Sequence, residues 1–432
     1  MKILLINHYA GAHKYGMEFR PLYLAREWTK VNNEVVIVAS DQSHIRANNP
    51  DFKSKEMKPL QGLDSQKFRT EKIDDIQYIW CKTPEYSGNG MGRVFNIFVF
   101  LIRLFQLSFW LGRNFLADVI ITSSTYPMDI FPARWMKFVF SKFGRRTKPT
   151  KLVYEVHDLW PLSPIELGGM SPWHPFILWI QGAEDLSYRW ADQVISMLPK
   201  TKEYMISRGM RPNKFSYVPN GIDFAEWDSD SKSLLNLNFQ KQAAEIKSGF
   251  TLTVAYFGTH GLANALVSFV EAAELALEKK LSIAFILVGT GPDKSTLVQL
   301  AKSKKLTNIF FLEAISKSEI PNALQLFDIL YIGLQKQKLF RFGISPNKLI
   351  DYMAAAKPIL FAIEAGNDPV LENSCGLSIM PEDPVAIVEA LVKFSTLAVS
   401  ERKNMGMRGR AFARENHDYR VLAGKFLKII GA

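Results

Sequence analysis

The chain has 432 residues, which is too long for one average domain, so we expect two. Apolar residues make up 47% of the chain and charged residues only 22%, which excludes disorder and allows large cores. The formal net charge of +11 favours an anionic partner, such as phosphorylated substrates, anionic lipid or nucleic acid. Cys81 and Cys375 lie far apart in the sequence, which favours a reducing compartment over a disulfide framework.

The N-terminal residues predict one repeat of a parallel sheet. A strand over residues 2–6 is followed by a loop with Gly16, a helix over 20–30 and a strand over 34–39. The loop lacks the G-x-G-x-x-G pattern, which argues against a dinucleotide cofactor. The opening apolar run has four residues, so we interpret it as a strand and not as a signal peptide.

The rest of the N-terminal half continues this alternation. Residues 41–72 are polar and predict an irregular excursion from the sheet. Further strands are predicted at 76–80, 118–123, 151–156, 193–197 and 215–218, and helices at 94–111, 132–143, 173–191 and 200–208. No stretch reaches the ~18 uninterrupted apolar residues of a membrane span.

The most apolar stretch is the predicted helix over residues 94–111, VFNIFVFLIRLFQLSFWL. A core helix beneath the sheet is the favoured interpretation. The alternative is that its aromatic side chains enter a membrane interface while Arg103 and Arg113 meet lipid phosphates. A basic cluster follows at Arg145, Arg146, Lys148 and Lys151. Because no aromatic residues are interleaved with it, the cluster fits anionic lipid or a diphosphate-bearing acceptor better than nucleic acid.

His157 and Asp158 stand at the carboxyl end of the strand predicted over residues 151–156. Ligands of open α/β sheets bind beyond the carboxyl ends of the strands. We therefore predict that His157 touches a reacting group and that Asp158 orients its ring. A purely structural pair is an equally good interpretation of these two residues taken alone.

The second half of the chain restarts the pattern after a polar junction over residues 224–249. Strands are predicted at 251–257, 283–288, 309–311 and 329–332, and an amphipathic helix over 419–430 ends the chain. Glycine loops follow the first two of these strands, so we expect both loops to line one crevice. Asp228 and Asp230 fit a solvated turn better than a metal site, because no histidine or third carboxylate is near them in the sequence.

The segment Phe340–Leu360 predicts a nucleotide site. Ser345 is expected to cap a short helix that begins at Pro346. The free amides at the start of that helix, with Lys348 beside them, suit a phosphate. Asp351 lies one turn further on the same face and only accepts hydrogen bonds, which fits the hydroxyls of a ribose. An ordinary capped helix before a buried strand is the alternative interpretation.

Three motifs make the chain resemble the family 4 glycosyltransferases, which are retaining enzymes of the GT-B fold. They are VPNGID at residues 218–223, VGTGP at 288–292 and SPNKLIDYMAAAKP at 345–358. The resemblance covers nearly the whole chain. The runs Tyr15–Pro21, Asp158–Pro161 and Gly258–Asn264 look like the bacterial surface-polysaccharide branch, which includes enzymes resembling N-acetyl-L-fucosamine transferases.

The resemblance implies an α/β fold with two Rossmann-like domains that face a central cleft. The expected boundaries are 1–224 for the acceptor-side domain, 225–249 for a linker, 250–415 for the nucleotide-sugar domain and 416–432 for a helix that returns to the first domain. The implied reaction transfers a sugar from a nucleotide diphosphate, and the expected nucleotide is UDP. The transfer is expected to retain the anomeric configuration and to need no metal or other cofactor. The expected acceptor is a saccharide or a polyprenyl diphosphate in capsule or O-antigen synthesis. The implied place is the cytoplasm, at the inner membrane face, with no nucleic-acid partner.

The resemblance also implies roles for individual residues. Gly16 would lie against the donor diphosphate, His157 beside the reacting sugar and Asp351 on the ribose. The wider donor-binding set comprises Thr259, His260, Asn264, Gly289, Gly291, Arg341, Ser345, Asn347 and Lys348. The family's Glu-x7-Glu motif is altered, because Gly343 replaces its first Glu and Asp351 its second. The Arg and Lys that the family carries after the first strand of this domain are also missing, so Lys348 and Arg341 would neutralise the leaving diphosphate.

Two other functions stay open on the sequence alone. One is a sugar-nucleotide 2-epimerase on the same fold, which would need acid and base groups beyond His157 and Asp158. The other is a non-catalytic, membrane-associated assembly protein that lost activity with the first Glu of the motif. The presence of His157 and Asp351 argues against that second alternative.

Overall fold

The computed structural model describes residues 1–16, 19–88, 90–143, 148–230 and 235–431. It divides into two compact units, Met1–Pro219 with Tyr419–Ala432, and Asn220–Asp418. Each unit is built on a largely parallel sheet with helices on both faces. The predicted α/β fold with two Rossmann-like domains is therefore confirmed.

The first unit contains a nine-stranded sheet. Its strands are β1 (Lys2–Ile6), β2 (Glu34–Ser40), β3 (Lys58–Pro59), β4 (Phe68–Ile73), β5 (Ile76–Cys81), β6 (Val119–Thr122), β7 (Lys151–Val156), β8 (Gln193–Ser196) and β9 (Phe215–Tyr217). They are ordered β3-β4-β5-β2-β1-β6-β7-β8-β9, and all pairs are parallel except β3–β4 and β4–β5. Its helices are α1 (Arg20–Lys30), α2 (Met91–Asn114), α3 (Ile130–Phe140), α4 (Leu162–Glu166), α5 (Pro175–Trp190), α6 (Lys202–Ser207) and α16 (Tyr419–Gly431).

Two apolar cores enclose this sheet, one on each face. The core on one face lies under α1 and α16. There the Trp28 indole lies 5.1 Å from the Phe426 ring at an inclined angle and donates a hydrogen bond of 3.2 Å to the carbonyl of Ala423. The core on the other face lies under α2, α3 and α5. The helix that ends the chain thus returns to the first unit, as the sequence predicts.

The excursion predicted over residues 41–72 contains sheet structure. Strand β4 pairs antiparallel with β5 through a tight turn at Asp74 and Asp75, both of which have positive φ angles. Aspartate tolerates that left-handed conformation better than most residues, which is why two aspartates can close the hairpin. Residues Arg145 and Arg146 of the predicted basic cluster lie outside the described residues, as do Met17 and Glu18.

Helix α2 packs against the core, as the favoured interpretation predicts, on one of its faces only. Phe100, Leu104 and Leu111 are fully buried, whereas Phe98 and Phe109 on the opposite face are about half exposed, at 50% and 51%. By length and composition α2 could cross a membrane, and it is the one such helix in the described ranges. Only 44% of its most apolar window is buried within the unit, so more than half of that window is not covered by the unit's own residues.

The second unit contains a six-stranded parallel sheet. Its strands are β10 (Leu252–Phe257), β11 (Ile283–Val288), β12 (Ile309–Leu312), β13 (Ile329–Gly333), β14 (Ile359–Ala362) and β15 (Gly376–Ile379), ordered β12-β11-β10-β13-β14-β15. Its helices are α7 (Phe224–Asp230), α8 (Leu237–Gly249), α9 (Leu266–Glu278), α10 (Lys294–Ser303), α11 (Ile320–Gln325), α12 (Asn347–Ala354), α13 (Pro369–Glu372), α14 (Pro384–Thr396) and α15 (Val399–Asn416). Apolar cores again lie on both faces of the sheet.

The polar junction predicted over residues 224–249 forms α7 and α8 and belongs to the second unit. Phe224, Trp227 and Phe239 enter the core there, together with a few aliphatic residues, so a small number of apolar side chains anchors a largely polar segment. Asp228 does not lie in a solvated turn. Its carboxylate pairs with Arg410 at 2.6 Å and Arg414 at 2.9 Å, which tie α7 to α15.

Candidate active site

Strands β1, β6 and β7 are neighbours in the first sheet, and their carboxyl ends bring Asn7, Ser123 and His157 together. The Asn7 amide donates to the carbonyl of Ser123 at 2.6 Å. The Ser123 hydroxyl lies 2.9 Å from Nε2 of His157. The sheet order reverses between β1 and β6, and such a reversal is where ligands bind in open α/β sheets. The structure therefore places His157 beside this reversal, and its contact with a reacting group stays a prediction.

Glu155 holds the His157 ring and is itself held by Arg20. One carboxylate oxygen of Glu155 lies 3.3 Å from Nε2 of His157, and the other accepts from the Arg20 guanidinium at 2.8 Å. Arg20 and Glu155 are only 2% and 1% exposed. Burial alone would raise the pKa of Glu155, but Arg20 and His157 outweigh it and hold that pKa well below its usual range. Glu155 is thus an ionised acceptor beside the imidazole.

Glu155 is not among the residues predicted for this site, and the orienting role was predicted for Asp158 instead. Side chains two residues apart in extended chain point to the same face, so the spacing of Glu155 near the end of β7 and His157 directly after it was the available signal. Asp158 follows the strand and is exposed. Ser123 and Glu155 both contact Nε2 of His157 and orient the ring, while a role for Asp158 stays a prediction.

Gly16 adopts a left-handed conformation with φ at +70°. A Cβ added there would lie 3.0 Å from the Cβ of Ala47 and 3.2 Å from its backbone nitrogen. Both the angle and the close approach of Ala47 therefore require glycine. A contact between Gly16 and a donor diphosphate stays a prediction.

The two glycine loops of the second unit follow the adjacent strands β10 and β11 and are bonded to each other. The amide of His260 donates to the carbonyl of Thr290 at 2.8 Å. A Cβ at Gly289 would lie 2.1 Å from the carbonyl oxygen of Gly258, and one at Gly291 would lie 2.3 Å from that of His260. Gly289 and Gly291 thus allow the loops to pack together, which is a sufficient physical reason for both glycines.

His260 is a buried imidazole in the first of these loops. Neither of its ring nitrogens has a hydrogen-bond partner within the described part of the chain. Burial, which is the largest cause, acts together with the nearby Lys294 and Lys348 to lower the pKa of His260 to about 4. The ring is therefore neutral at physiological pH, and it does not supply the positive charge that the family's missing Arg and Lys would carry.

Lys348 projects from the first turn of α12 toward the loop after β10. Its ammonium group donates to the Tyr256 hydroxyl at 2.7 Å and to the Asn264 side-chain oxygen at 3.3 Å. The nitrogen also lies 3.9 Å from the centre of the Tyr256 ring. Burial lowers the pKa of Lys348 to about 7, although Asp351 opposes that shift. The lysine is thus held in place by neutral groups and carries a charge that an anion would stabilise.

Asp351 lies one turn after Lys348 and is partly exposed. Burial raises its pKa to about 7, against the opposing effects of Lys317 and Lys348. Two groups of opposite sign whose pKa values both approach neutrality mark a candidate binding site for polar ligands. The reversal of strand order between β10 and β13 lies beside them.

The predicted helix cap at Ser345 is wrong. Helix α12 begins at Asn347 with Pro346 at its N-cap, and no side chain caps it. The Ser345 hydroxyl instead accepts from the amide of Asn220 at 3.0 Å, which bonds the third family motif to the first. Asn347 and Arg341 are exposed, and the Arg341 guanidinium donates to the nearby carbonyl of Lys338 at 2.6 Å. The carbonyl of Thr259 accepts from Tyr256 and Asn264 at 2.7 and 3.1 Å.

Gly343 has φ at +94°, a conformation that side chains rarely adopt. Its amide donates to the carbonyl of Phe340 at 2.8 Å, which closes the turn before α12. A residue with a side chain at position 343 would therefore be strained in this backbone conformation. Across the described ranges, no group of three His, Cys, Asp or Glu side chains could hold a metal ion.

Two family models match the chain. The glycosyl transferase 4-like domain matches residues 16–221, and the glycosyl transferases group 1 domain matches residues 251–396. The matched ranges lie one in each structural unit apart from Asn220 and Gly221, and together they span most of the chain. No curated protein sequence matches it.

Solved structures resemble the chain over its whole length. Anabaena HepE in complex with UDP-glucose shares 15% identity with a TM-score of 0.63, covering 100% of this chain and 99% of that one. Sucrose-phosphate synthase from Thermosynechococcus elongatus shares 13% identity with a TM-score of 0.68, covering 99% and 98%. A structure described as "trehalose-6-phosphate from E. coli bound with UDP-2-fluoro glucose" shares 12% identity with a TM-score of 0.67, covering 100% and 99%. At these identities the likeness shows the fold.

The fold and the two matched domains define a class, the glycosyltransferases of the GT-B fold. Within that class, the chain is a glycosyltransferase in which a glycosyl transferase 4-like domain precedes a glycosyl transferases group 1 domain. This pair of domains supports its assignment to family 4.

Replacing Glu155 should destabilise the first unit, because Arg20 would stay buried without a counter-charge. We expect Glu155→Gln to cost about 3–5 kcal/mol in urea unfolding at pH 7. Asp75→Asn removes an exposed ion pair with Lys72 and should cost about 1 kcal/mol or less. An equal loss of unfolding free energy in the two variants would contradict a structural role for the buried pair of Arg20 and Glu155.

The same pair predicts a pH dependence. As pH falls below the usual pKa of 4.5, the unfolded chain binds a proton at Glu155 that the folded chain does not bind. The stabilisation is therefore present above that pH and is lost as pH falls, so the difference between wild type and Glu155→Gln should narrow between about pH 5 and pH 3.

Lys348→Met should leave the ligand-free protein as stable as wild type or more stable at pH 7, because it removes a charge that burial disfavours. Between pH 7 and 10.5 the unfolded lysine binds a proton that the folded lysine does not, so wild type should gain stability relative to the variant as pH rises through that window. Thermal unfolding at several pH values measures both effects. The exposed Lys279→Met is the control, and a matching pH profile there would contradict the prediction.

Proposed function

We propose that this glycosyltransferase transfers a sugar from a nucleotide diphosphate, with UDP the preferred nucleotide, and that the transfer retains the anomeric configuration. The observation that carries the proposal is the pair formed by Lys348 and Asp351 beside the strand reversal of the second sheet. A cation and a carboxylate one helical turn apart suit the diphosphate and the ribose of one nucleotide. The UDP-sugar complexes of the fold neighbours support the same choice.

The donor diphosphate would supply the counter-charge that Lys348 lacks. Its ammonium group has neutral partners in Tyr256 and Asn264, so an arriving phosphate would raise the lysine's pKa and fix its charge. Free amides at the start of α12 add the positive end of the helix dipole. These groups would stabilise the leaving diphosphate, so the proposed transfer requires no metal.

His157 is the proposed group beside the reacting sugar. The ionised Glu155 next to Nε2 favours the tautomer with its proton on that nitrogen, which gives Nδ1 the acceptor lone pair. Glu155 and Ser123 fix the ring so that this lone pair keeps one direction.

We further propose an acetamido or deoxy-acetamido hexose as the donor sugar and a lipid-linked or saccharide acceptor in capsule or O-antigen synthesis. With Gly343 in place of the family's first Glu, no carboxylate there can bind a donor-sugar hydroxyl. A sugar that lacks one hydroxyl would tolerate this loss. The positive net charge of +11 fits a diphosphate-bearing acceptor and a place in the cytoplasm at the inner membrane face.

Donor binding tests the proposal most directly. We expect one class among UDP-, GDP- and dTDP-sugars to stabilise wild type by about 2.7 kcal/mol at ~100 times its dissociation constant, and not to stabilise Asp351→Ala. The control is Glu278→Ala, which removes an exposed carboxylate from the same unit and should behave as wild type. Slow hydrolysis of the donor to free sugar would support transfer, whereas an epimerised sugar nucleotide would identify an epimerase. If no donor stabilises wild type, the proposed function is wrong.

Gly343 variants test the donor sugar. Gly343→Glu and Gly343→Ala should each cost about 1 kcal/mol or more, because both must adopt a positive φ. Only Gly343→Glu should shift donor preference toward the sugar with the additional hydroxyl, measured as relative donor hydrolysis. The same donor ranking in wild type and both variants would contradict the deoxy-acetamido assignment.

A further inference from the structure

Helix α2 of the first unit carries an exposed aromatic stripe along its length. The stripe consists of Phe95, Phe98, Ile102, Phe105 and Phe109. Their spacings of three and four residues place them on one helix face. A surface helix of a soluble protein normally presents polar residues on its outer face. Here both faces are apolar, and only one of them packs against the core.

Helix α3 extends this surface sideways with Trp135 and Phe138, which are 37% and 53% exposed. The ring of Trp135 lies 6.1 Å from that of Phe109 and 5.5 Å from that of Phe138, so the two helices form one continuous patch. We call the α2 stripe with Trp135 and Phe138 the aromatic face. Lys142 lies 5.3 Å over the Phe138 ring, at the margin of this face.

A groove of about 820 Å³ opens beside the aromatic face, between α2, α3 and residues 148–150. Aromatic rings line it, including Phe105, Trp135 and Phe138, together with the cations Arg134, Lys137 and Lys148. Lys137 pairs with Asp192 at 2.6 Å. Within the described ranges, Arg134 and Lys148 have no ion-pair partner. The groove therefore combines apolar walls with unneutralised positive charge.

The sequence around the aromatic face is one-sided in charge. Residues 91–114 contain three arginines and no Asp or Glu, and residues 130–151 contain seven Lys or Arg and no Asp or Glu. Exposed aromatic rings bordered by cations match the interface of an anionic bilayer, where rings enter the headgroup boundary and cations meet phosphates. A protein partner would have to present both a large apolar patch and many carboxylates to match this surface.

We propose that the aromatic face and its groove bind the surface of an anionic phospholipid bilayer, with a lipid phosphate between Arg134 and Lys148. This deepens the proposed function, because it rests on a lipid-linked acceptor for the transferase. Helix α2 would lie in the plane of the interface. It cannot cross the bilayer in the folded unit, since its inner face belongs to the core with Phe100 and Leu104.

Vesicle flotation tests the proposal on the full chain. We expect wild type to bind phosphatidylcholine vesicles that contain about 30% phosphatidylglycerol, to bind pure phosphatidylcholine far more weakly, and to dissociate as salt rises. The triple variant Phe98→Ser, Phe109→Ser, Phe138→Ser should bind the anionic vesicles at least about tenfold more weakly. Arg134→Glu with Lys148→Glu should weaken binding by about fivefold or more for each cation removed.

Matched controls lie on the second unit, where Leu371→Ser with Val399→Ser removes exposed apolar side chains and Lys279→Glu with Lys302→Glu reverses exposed charges. These controls should bind as wild type. Equal binding to neutral and anionic vesicles, or unchanged binding by both face variants, would overturn the proposal. A wild type that forms dimers broken by the triple variant, without vesicle binding, would assign the face to a second copy and would also overturn it.

Donor hydrolysis in vesicle-free solution separates this proposal from the proposed function. The face variants should hydrolyse the donor as wild type does, because none of their residues belongs to the Lys348 or His157 sites. Vesicle binding without any donor hydrolysis in wild type would leave the membrane face supported and the transferase proposal wrong. Donor hydrolysis without vesicle binding would support the transferase proposal and overturn the membrane-binding proposal.

Discussion

The buried ion pair between Arg20 and Glu155 organises the first unit. Arg20 begins α1 and donates to Glu155 on β7 and to the carbonyls of Val218 and Pro219, where the unit's continuous chain segment ends. Three structural parts thus meet at one guanidinium, and Glu155 in turn holds the ring of His157. A buried ion pair is weak evidence for stability in itself, but removing one partner is costly. The pair is better understood as a device that fixes the direction of the imidazole.

The candidate site of the second unit is built in the opposite way. The charge of Arg20 is matched by a carboxylate and two carbonyls, whereas Lys348 is held by a phenol and an amide. His260 beside it has two ring nitrogens without partners among the described residues. Buried polar groups in native proteins are usually satisfied, so a cluster of unsatisfied ones calls for an explanation. A polar ligand that supplies the missing charge and hydrogen bonds is the simplest explanation, and the pKa values of Lys348 and Asp351 near neutrality agree with it.

The sequence predicts most of the fold because buried parallel strands are short apolar runs bounded by glycine loops. Prediction from the sequence fails where only a few residues fix the local structure. Helices α7 and α8 are polar apart from a few core aromatics, and β4 depends on two aspartates in a tight turn. In the candidate site, the motif predicts Lys348 and Asp351, but the partners Tyr256 and Glu155 belong to buried strands that composition cannot distinguish from ordinary core. The hydroxyl of Ser345 likewise bonds a residue 125 positions away, which no local capping rule can foresee.

Helix α2 shows why its sequence supports two interpretations at once. An apolar helix has no polar face, so periodicity cannot say which side meets the core and which side meets something else. The structure assigns one side to the core through Phe100 and Leu104 and leaves the other side with Phe98 and Phe109 about half exposed. Aromatic residues kept on that side are a liability for a soluble protein unless they are covered. The absence of carboxylates from the same helix and from α3 narrows what can cover them, because an anionic bilayer accepts both the rings and the surrounding cations.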